Sequence, residues 1–200
     1  TAREDIKALV DDLVADGSPP LSETLFEVYR YWAGEAPRYA NSASSTRVDG
    51  TGNFISPLGE ENVSAKNYNV YLTDGEPTSD TDVNDVVPDL TDFVGTDLAT
   101  PDQCSDNSTG GDNGKCLDDI AKYMFSKDLV SSSDFVDYVT TYTVGFGDEV
   151  RGSTTLAAAA EAGGGRAYDA GDTASLSNVF ETIIREIISQ DTSFTAPAVS

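Results

Sequence analysis

The carboxylate best placed for chemistry in this chain is Asp74, which closes the stretch NYNVYLTDGEPT from Asn67 to Thr78. Tyr68 to Leu72 is mostly aromatic, aliphatic or β-branched, the pattern of a buried strand. Thr73-Asp74-Gly75 breaks that strand abruptly. In α/β sheets ligands bind beyond the carboxyl ends of the strands, so the spacing predicts Asp74 as a carboxylate held at a sheet rim. The plainer alternative is an Asp that caps the turn before Gly75.

Other acidic groups make weaker cases. Asp80, Asp82, Asn84 and Asp85 resemble the start of a calcium loop, but the central Gly and closing Glu of an EF-hand are absent. Asp102, Asp106 and Asp112 lie near the two cysteines and read as a solvated acidic loop. Gly163 to Arg166 reads GGGR but follows a helical pattern instead of preceding one, so it is not a phosphate-binding loop.

Composition narrows the chemistry further. The 200 residues carry 35 acidic against 12 basic side chains, net −23, and no histidine. Without histidine, Ser-His-Asp and Cys-His catalysis and His-ligated zinc are excluded within this chain. Phosphate backbones and anionic membrane surfaces need clustered Lys and Arg, which argues against both as partners. The charge suits divalent cations, basic partners or solubility in a salty exterior. No apolar run approaches the roughly 20 residues that cross a bilayer. The chain opens at Thr1 inside a helical pattern with no signal peptide, so it reads as a piece of something longer.

The elements that must position Asp74 follow from periodicity. Ile6, Leu9, Val10, Leu13 and Val14 predict an amphipathic helix ending near Gly17. Ser18-Pro19-Pro20 starts the next helix, with Ser18 as N-cap and proline in the first turn. Leu21, Leu25, Val28, Tyr29 and Trp32 form its apolar face, and Gly34 ends it. Residues 35–66 read as a polar surface excursion anchored by Phe54, Ile55 and Leu58. Past the central strand, Val83, Val86, Val87, Leu90, Phe93 and Val94 predict a helix capped by Asp82 and broken or kinked at Pro88. A second insertion spans 95–115. A helix from about Leu117 to Lys127 turns Ile120, Ala121 and Met124 inward, and Phe135 to Val144 reads as a strand. An alanine-rich helix from Leu156 to Ala162 is stopped by Gly163-Gly164-Gly165, and Ala167-Tyr168 is a short edge strand. In the last helix Leu176, Val179, Phe180, Ile183, Ile184, Ile187 and Ile188 keep the 3.6 period and are expected in the core. This alternation predicts an α/β fold: a doubly wound, mostly parallel sheet with helices on both faces.

Four of these stretches also carry a family resemblance. YLTDGEPT at Tyr71 to Thr78 resembles the third metal-site segment of von Willebrand factor type A domains. SPPLSETLFEVYRYW at Ser18 to Trp32, CLDDIAKYMFSKDL at Cys116 to Leu129 and YTVGFG at Tyr142 to Gly147 resemble the N-terminal type A domain of PilY-family type IV pilus tip adhesins. The resemblance implies that residues 1–190 are part of a type A domain whose first strands precede Thr1. It places insertions at about 35–66 and 95–115, and makes residues 191–200 a linker to a following domain, in this family usually a β-propeller.

The resemblance also implies a site. Type A domains hold a divalent cation (Mg, Mn or Ca) with an Asp-x-Ser-x-Ser segment, a loop Thr and a strand-end Asp, leaving one position for the partner. Asp74 matches the third of these. The first is absent from the chain, and Pro19 stands where the Thr is expected. Ser18, one position earlier, is the substitute hydroxyl, with its N-cap role as the competing assignment. The cation site is therefore incomplete in this chain.

The expected function is a non-catalytic adhesion or assembly module at a pilus tip or on the cell surface. Its expected partners are minor pilins, other pilus-tip proteins or a surface receptor protein. Two alternatives are a metal-independent protein-contact domain of another envelope protein, and a metal-dependent hydrolase or phosphoryl-transfer enzyme using Asp74. The enzyme needs a second carboxylate near Asp74 and a Lys or Thr at a neighbouring strand end, where the chain has Val144-Gly145-Phe146-Gly147.

Cys104 and Cys116 flank a loop of Ser, Asn, Asp and Gly with no zinc partner set. They read as a disulfide in an exported protein, or as two thiols in a cytosolic one.

Overall fold

The computed structural model describes residues 3, 4, 7, 18–40, 47–58, 66–97, 101–105, 111–130 and 136–192. The predicted helix through Ile6 and Val14, the strand start at Phe135, Asp106 and the linker beyond Thr192 lie outside the described residues.

Helix α1 (Leu21–Ala33) buries Leu21, Leu25, Phe26 and Tyr29, the i, i+4 face expected from the sequence plus Phe26. Each such side chain contributes about 1.5–3 kcal/mol by leaving water. Gly34 ends the helix at φ +69°, a left-handed turn that favours glycine. Strand β1 (Asn67–Thr73) follows a loop pinned by buried Phe54 and Leu58, while Ile55 is exposed. Helix α2 (Leu117–Ser126) turns Ile120, Ala121 and Met124 inward as predicted. Strand β2 (Val139–Phe146), helix α3 (Thr154–Ala162), strand β3 (Gly164–Ala170) and helix α4 (Thr173–Thr192) complete the described elements.

The three strands form one parallel sheet in the order β1-β2-β3. The crossover helices α2 and α3 lie on the same face, as stepping along a sheet with one crossover hand requires. They and α1 enclose the larger core, built on Phe26, Tyr71, Leu117, Ile120, Met124, Val139 and Leu156. Helix α4 covers the opposite face with Ile183 against Tyr142 and Val144. The α/β architecture with helices on both faces of a parallel sheet thus matches the pattern read from the sequence. Strand β2 is buried on both faces, in keeping with a run that is β-branched or aromatic at every position but Gly145.

Three expectations are corrected. Residues 83–94 form turns around a short 3-10 helix (Val87–Asp89) instead of a helix capped by Asp82. Pro88 has no N–H and its ring opposes a continuous helix. Strand β3 is seven residues long and begins inside the glycine run. Gly165 passes so close to β2 that a Cβ there would sit 2.2 Å from the Thr141 carbonyl oxygen. The glycines therefore admit a close third strand as well as ending α3. In α4, Ile184 and Ile188 are 53% and 57% exposed. The helix seats only a narrow stripe centred on Ile183, and no described element covers its flank.

Candidate functional site

The carboxyl end of β1 is shaped by a local hydroxyl turn. Thr73 Oγ accepts the Gly75 N–H at 3.2 Å and donates to the Gly75 carbonyl at 2.9 Å. Thr73 itself is buried, whereas Asp74 between them is exposed. The carboxylate therefore stands at the sheet rim, as its place after an apolar strand predicts.

The Ser18 segment lies against this turn. The Thr78 N–H donates to the Pro19 carbonyl at 3.1 Å. A Cβ on Gly75 would come within 3.1 Å of Pro19 Cγ, so Gly75 lets the two segments approach. Ser18 is exposed and Pro20, not Ser18, is the N-cap of α1. No side chain of the cap residue closes the helix.

That closure comes from Asp80. Its carboxylate accepts the Ser22 N–H at 2.9 and 2.8 Å and the Glu23 N–H at 3.1 Å. Asp80 is fully buried, and burial pushes its carboxyl above the usual range although these N–H donors pull it down. Its own N–H donates to Asn113 Oδ1, and its carbonyl accepts the Gly114 N–H. Asp80 therefore joins α1, the β1 turn and the loop before α2, which is a structural task and not that of a calcium loop. The buried Tyr71 phenol adds a second tie, donating to the Leu21 carbonyl at 2.8 Å.

The remaining strand ends contribute less reactive chemistry. Thr73, Gly145 and Asp169 share one row across the sheet. Two strand spacings separate the outer members by about 10 Å, too far for one cation to join them. Asp169 accepts the Gly152 N–H and packs over Gly145. Nothing in its short sequence context marked it as part of this rim. Gly145-Phe146-Gly147 offers no nucleophile beside Asp74.

The acidic loops converge elsewhere. Asp85, Asp102, Gln103, Cys104, Asp112 and Lys115 line a cavity of about 690 Å³, which brings together carboxylates that the sequence scatters over two loops. Among the described residues, no group of three or more carboxylate, histidine or cysteine side chains is arranged to hold a metal ion. Asp74 and Ser18 alone do not make up a cation's oxygen shell. Cys104 and Cys116 are joined as a disulfide, and Cys116 is fully buried. No described helix is long and apolar enough to cross a membrane.

Comparison with protein-family models, curated proteins and solved structures gave no match.

Proposed function

We propose that this chain is the larger part of a von Willebrand factor A-like domain of the PilY tip-adhesin kind. It acts as a non-catalytic adhesion or assembly module outside the cell, at a pilus tip or on the surface. The observation that carries this reading is the juxtaposition of Asp74 and the Ser18–Pro20 segment at the carboxyl rim of a parallel sheet. These are two of the three segments that the type A resemblance brings together. The reading also accounts for the flank of the sheet that no described element covers. Leu72 on β1 is 47% exposed, and Ile184 and Ile188 face outward, where the resemblance places the strands that precede β1. The disulfide suits an oxidising exterior.

Partners are a minor pilin, another tip protein or a surface receptor, engaged at the Asp74 rim. A divalent cation takes part only when a segment outside this chain supplies further oxygens. Pro19 in place of a hydroxyl favours the second reading, protein contact at the same rim with no cation.

Calorimetric titration with magnesium and manganese tests this. The 200-residue chain binds neither at a discrete site, and the full-length protein gains one that Asp74→Ala removes. A full-length protein with no such site leaves the metal-independent reading. Micromolar binding by the 200-residue chain, retained in Asp74→Ala, places the ligands in the acidic loops and sinks the proposal.

A further inference from the structure

Beside the Asp74 rim, the start of α1 and the loop after β1 enclose a second hollow. Pro20, Glu23 and Glu27 follow one another at helical spacing and so share one side of α1. Together with Ser79, Asp82 and Tyr39 they line a cavity of about 360 Å³, near the lower bound of small-ligand sites and roomy enough for one side chain. Three of these residues are acidic, and no basic residue lines the cavity.

Glu23 is the group that calls for a ligand. It is 6% exposed, and carboxylates are seldom so buried without a partner. Its Oε1 accepts the Asp82 N–H at 2.9 Å. Its Oε2 is buried and has no hydrogen-bond partner among the described residues. A buried oxygen in that condition costs stability until a donor reaches it. With only acids and neutral groups around the cavity, a donor that also carries positive charge has to come from another molecule.

The other walls suit an apolar stem with a cationic head. Glu27 accepts the backbone N–H groups of Arg38, Tyr39 and Ala40 at 3.0–3.2 Å, which fixes the Tyr39 segment beside α1. The Tyr39 ring already takes one cation: the Arg38 guanidinium stacks 5.6 Å from its centroid, without itself lining the cavity. Pro20 adds a second apolar wall. Asp82 is exposed and adds charge at the same opening.

We propose that this cavity receives the ε-ammonium of a lysine presented by a partner protein, its stem along Pro20 and Tyr39 and its head toward Glu23. Lysine is favoured over arginine by how the carboxylates are engaged. A guanidinium fork pairs best with both oxygens of one carboxylate, whereas the three diverging donors of an ammonium suit single oxygens on different walls. Backbone N–H groups already hold one oxygen of Glu23 and both of Glu27. A metal ion is the poorer occupant, since no three acidic groups among the described residues are arranged to hold one. The net charge of −23 draws basic partners toward the molecule. The inference rests on the protein-contact reading for the existence of a partner, and it needs no cation at Asp74.

Amide shifts of the 200-residue chain, titrated with N-α-acetyl-lysine methylamide at about 0.15 M salt to screen diffuse attraction, test the cavity. Saturable shifts at Glu23, Tyr39, Ser79 and Asp82 are expected. The norleucine analogue, which has the stem without the charge, gives none, and the arginine analogue binds more weakly. Glu23→Gln keeps an oxygen for the Asp82 N–H and weakens lysine binding about tenfold or more. Tyr39→Leu, at an exposed position, weakens it without touching the buried carboxylate. Absent or unsaturable shifts mean that water alone fills the cavity and overturn the proposal. So do equal binding of the norleucine analogue, tighter binding of the arginine analogue, or undiminished binding in either variant. The probe is a free amide, so this result and the magnesium titration of the rim fail independently of each other.

Discussion

Asp80 closes the N-terminus of α1 from 58 residues away, with both carboxylate oxygens on the Ser22 N–H. Helix N-termini leave backbone donors unpaired, and here a side chain from beyond the next strand takes them. The same bond fixes Pro19 and Pro20 relative to the β1 turn, so the relation of Ser18 to Asp74 depends on it.

Asp80→Ala leaves buried N–H groups without an acceptor and lowers stability by about 1–3 kcal/mol, with Asp80→Asn costing less. Burial raises the Asp80 carboxyl on folding. Its titration therefore stabilises fully below the unfolded value of about 3.9, and that contribution is lost as pH rises through the folded value. Thermal unfolding of the original chain and Asp80→Asn across that window should show the original losing ground as pH rises. Parallel pH profiles would show that Asp80 does not titrate differently on folding.

Ile183 and Ile184 are adjacent in sequence and differ in burial, 1% against 53% exposed. Ile183→Asp places a charge in the core with no partner and costs several kcal/mol, whereas Ile184→Asp in this chain stays within about 0.5 kcal/mol. Denaturant midpoints of the two variants decide it, and equal losses would mean that α4 is rotated on the sheet.

The Cys104–Cys116 disulfide closes a loop with a sequence separation of 12. Chain entropy assigns such a closure roughly 3 kcal/mol. Because Cys116 is fully buried and Cys104 nearly so, reductant acts on the folded protein only slowly. Intact mass after alkylation, with and without reductant, tests the bond. Two alkylated thiols in unreduced protein would remove it.

Gly165→Ala forces a methyl group against the Thr141 backbone, where only 2.2 Å is open. Strand β3 must shift away from β2, at a cost of about 1–3 kcal/mol or more. A variant that melts with the original protein would show that β3 pairs more loosely than these distances.

Periodicity made much of the framework readable. The apolar run ending at Asp74, the Leu21–Leu25–Tyr29 face of α1, the inward Ile120 and Met124 of α2 and the strand-helix alternation are short-range patterns, set by side-chain spacing within one element. A carboxylate placed directly after a buried strand has one place to go, the sheet rim. The cysteine spacing, with no zinc partner set beside it, pointed to the bond that forms.

What tertiary structure alone decided involves contacts between elements. In sequence Asp80 is one of several loop acids, because nothing near it announces a helix end 58 residues earlier. Asp118 and Asp119 differ from solvated first-turn acids only once Thr96 and Ser105 are folded onto them. The glycine run reads as a stop signal because its second use, admitting Thr141, requires the neighbouring strand. A 3.6-residue period shows that α4 has an apolar side but not how wide a stripe the sheet will cover, since burial depends on the partner surface as much as on the helix. Local chemistry fixes which groups a segment offers, and only the packing of segments against one another determines which of those groups are desolvated, paired or left facing water.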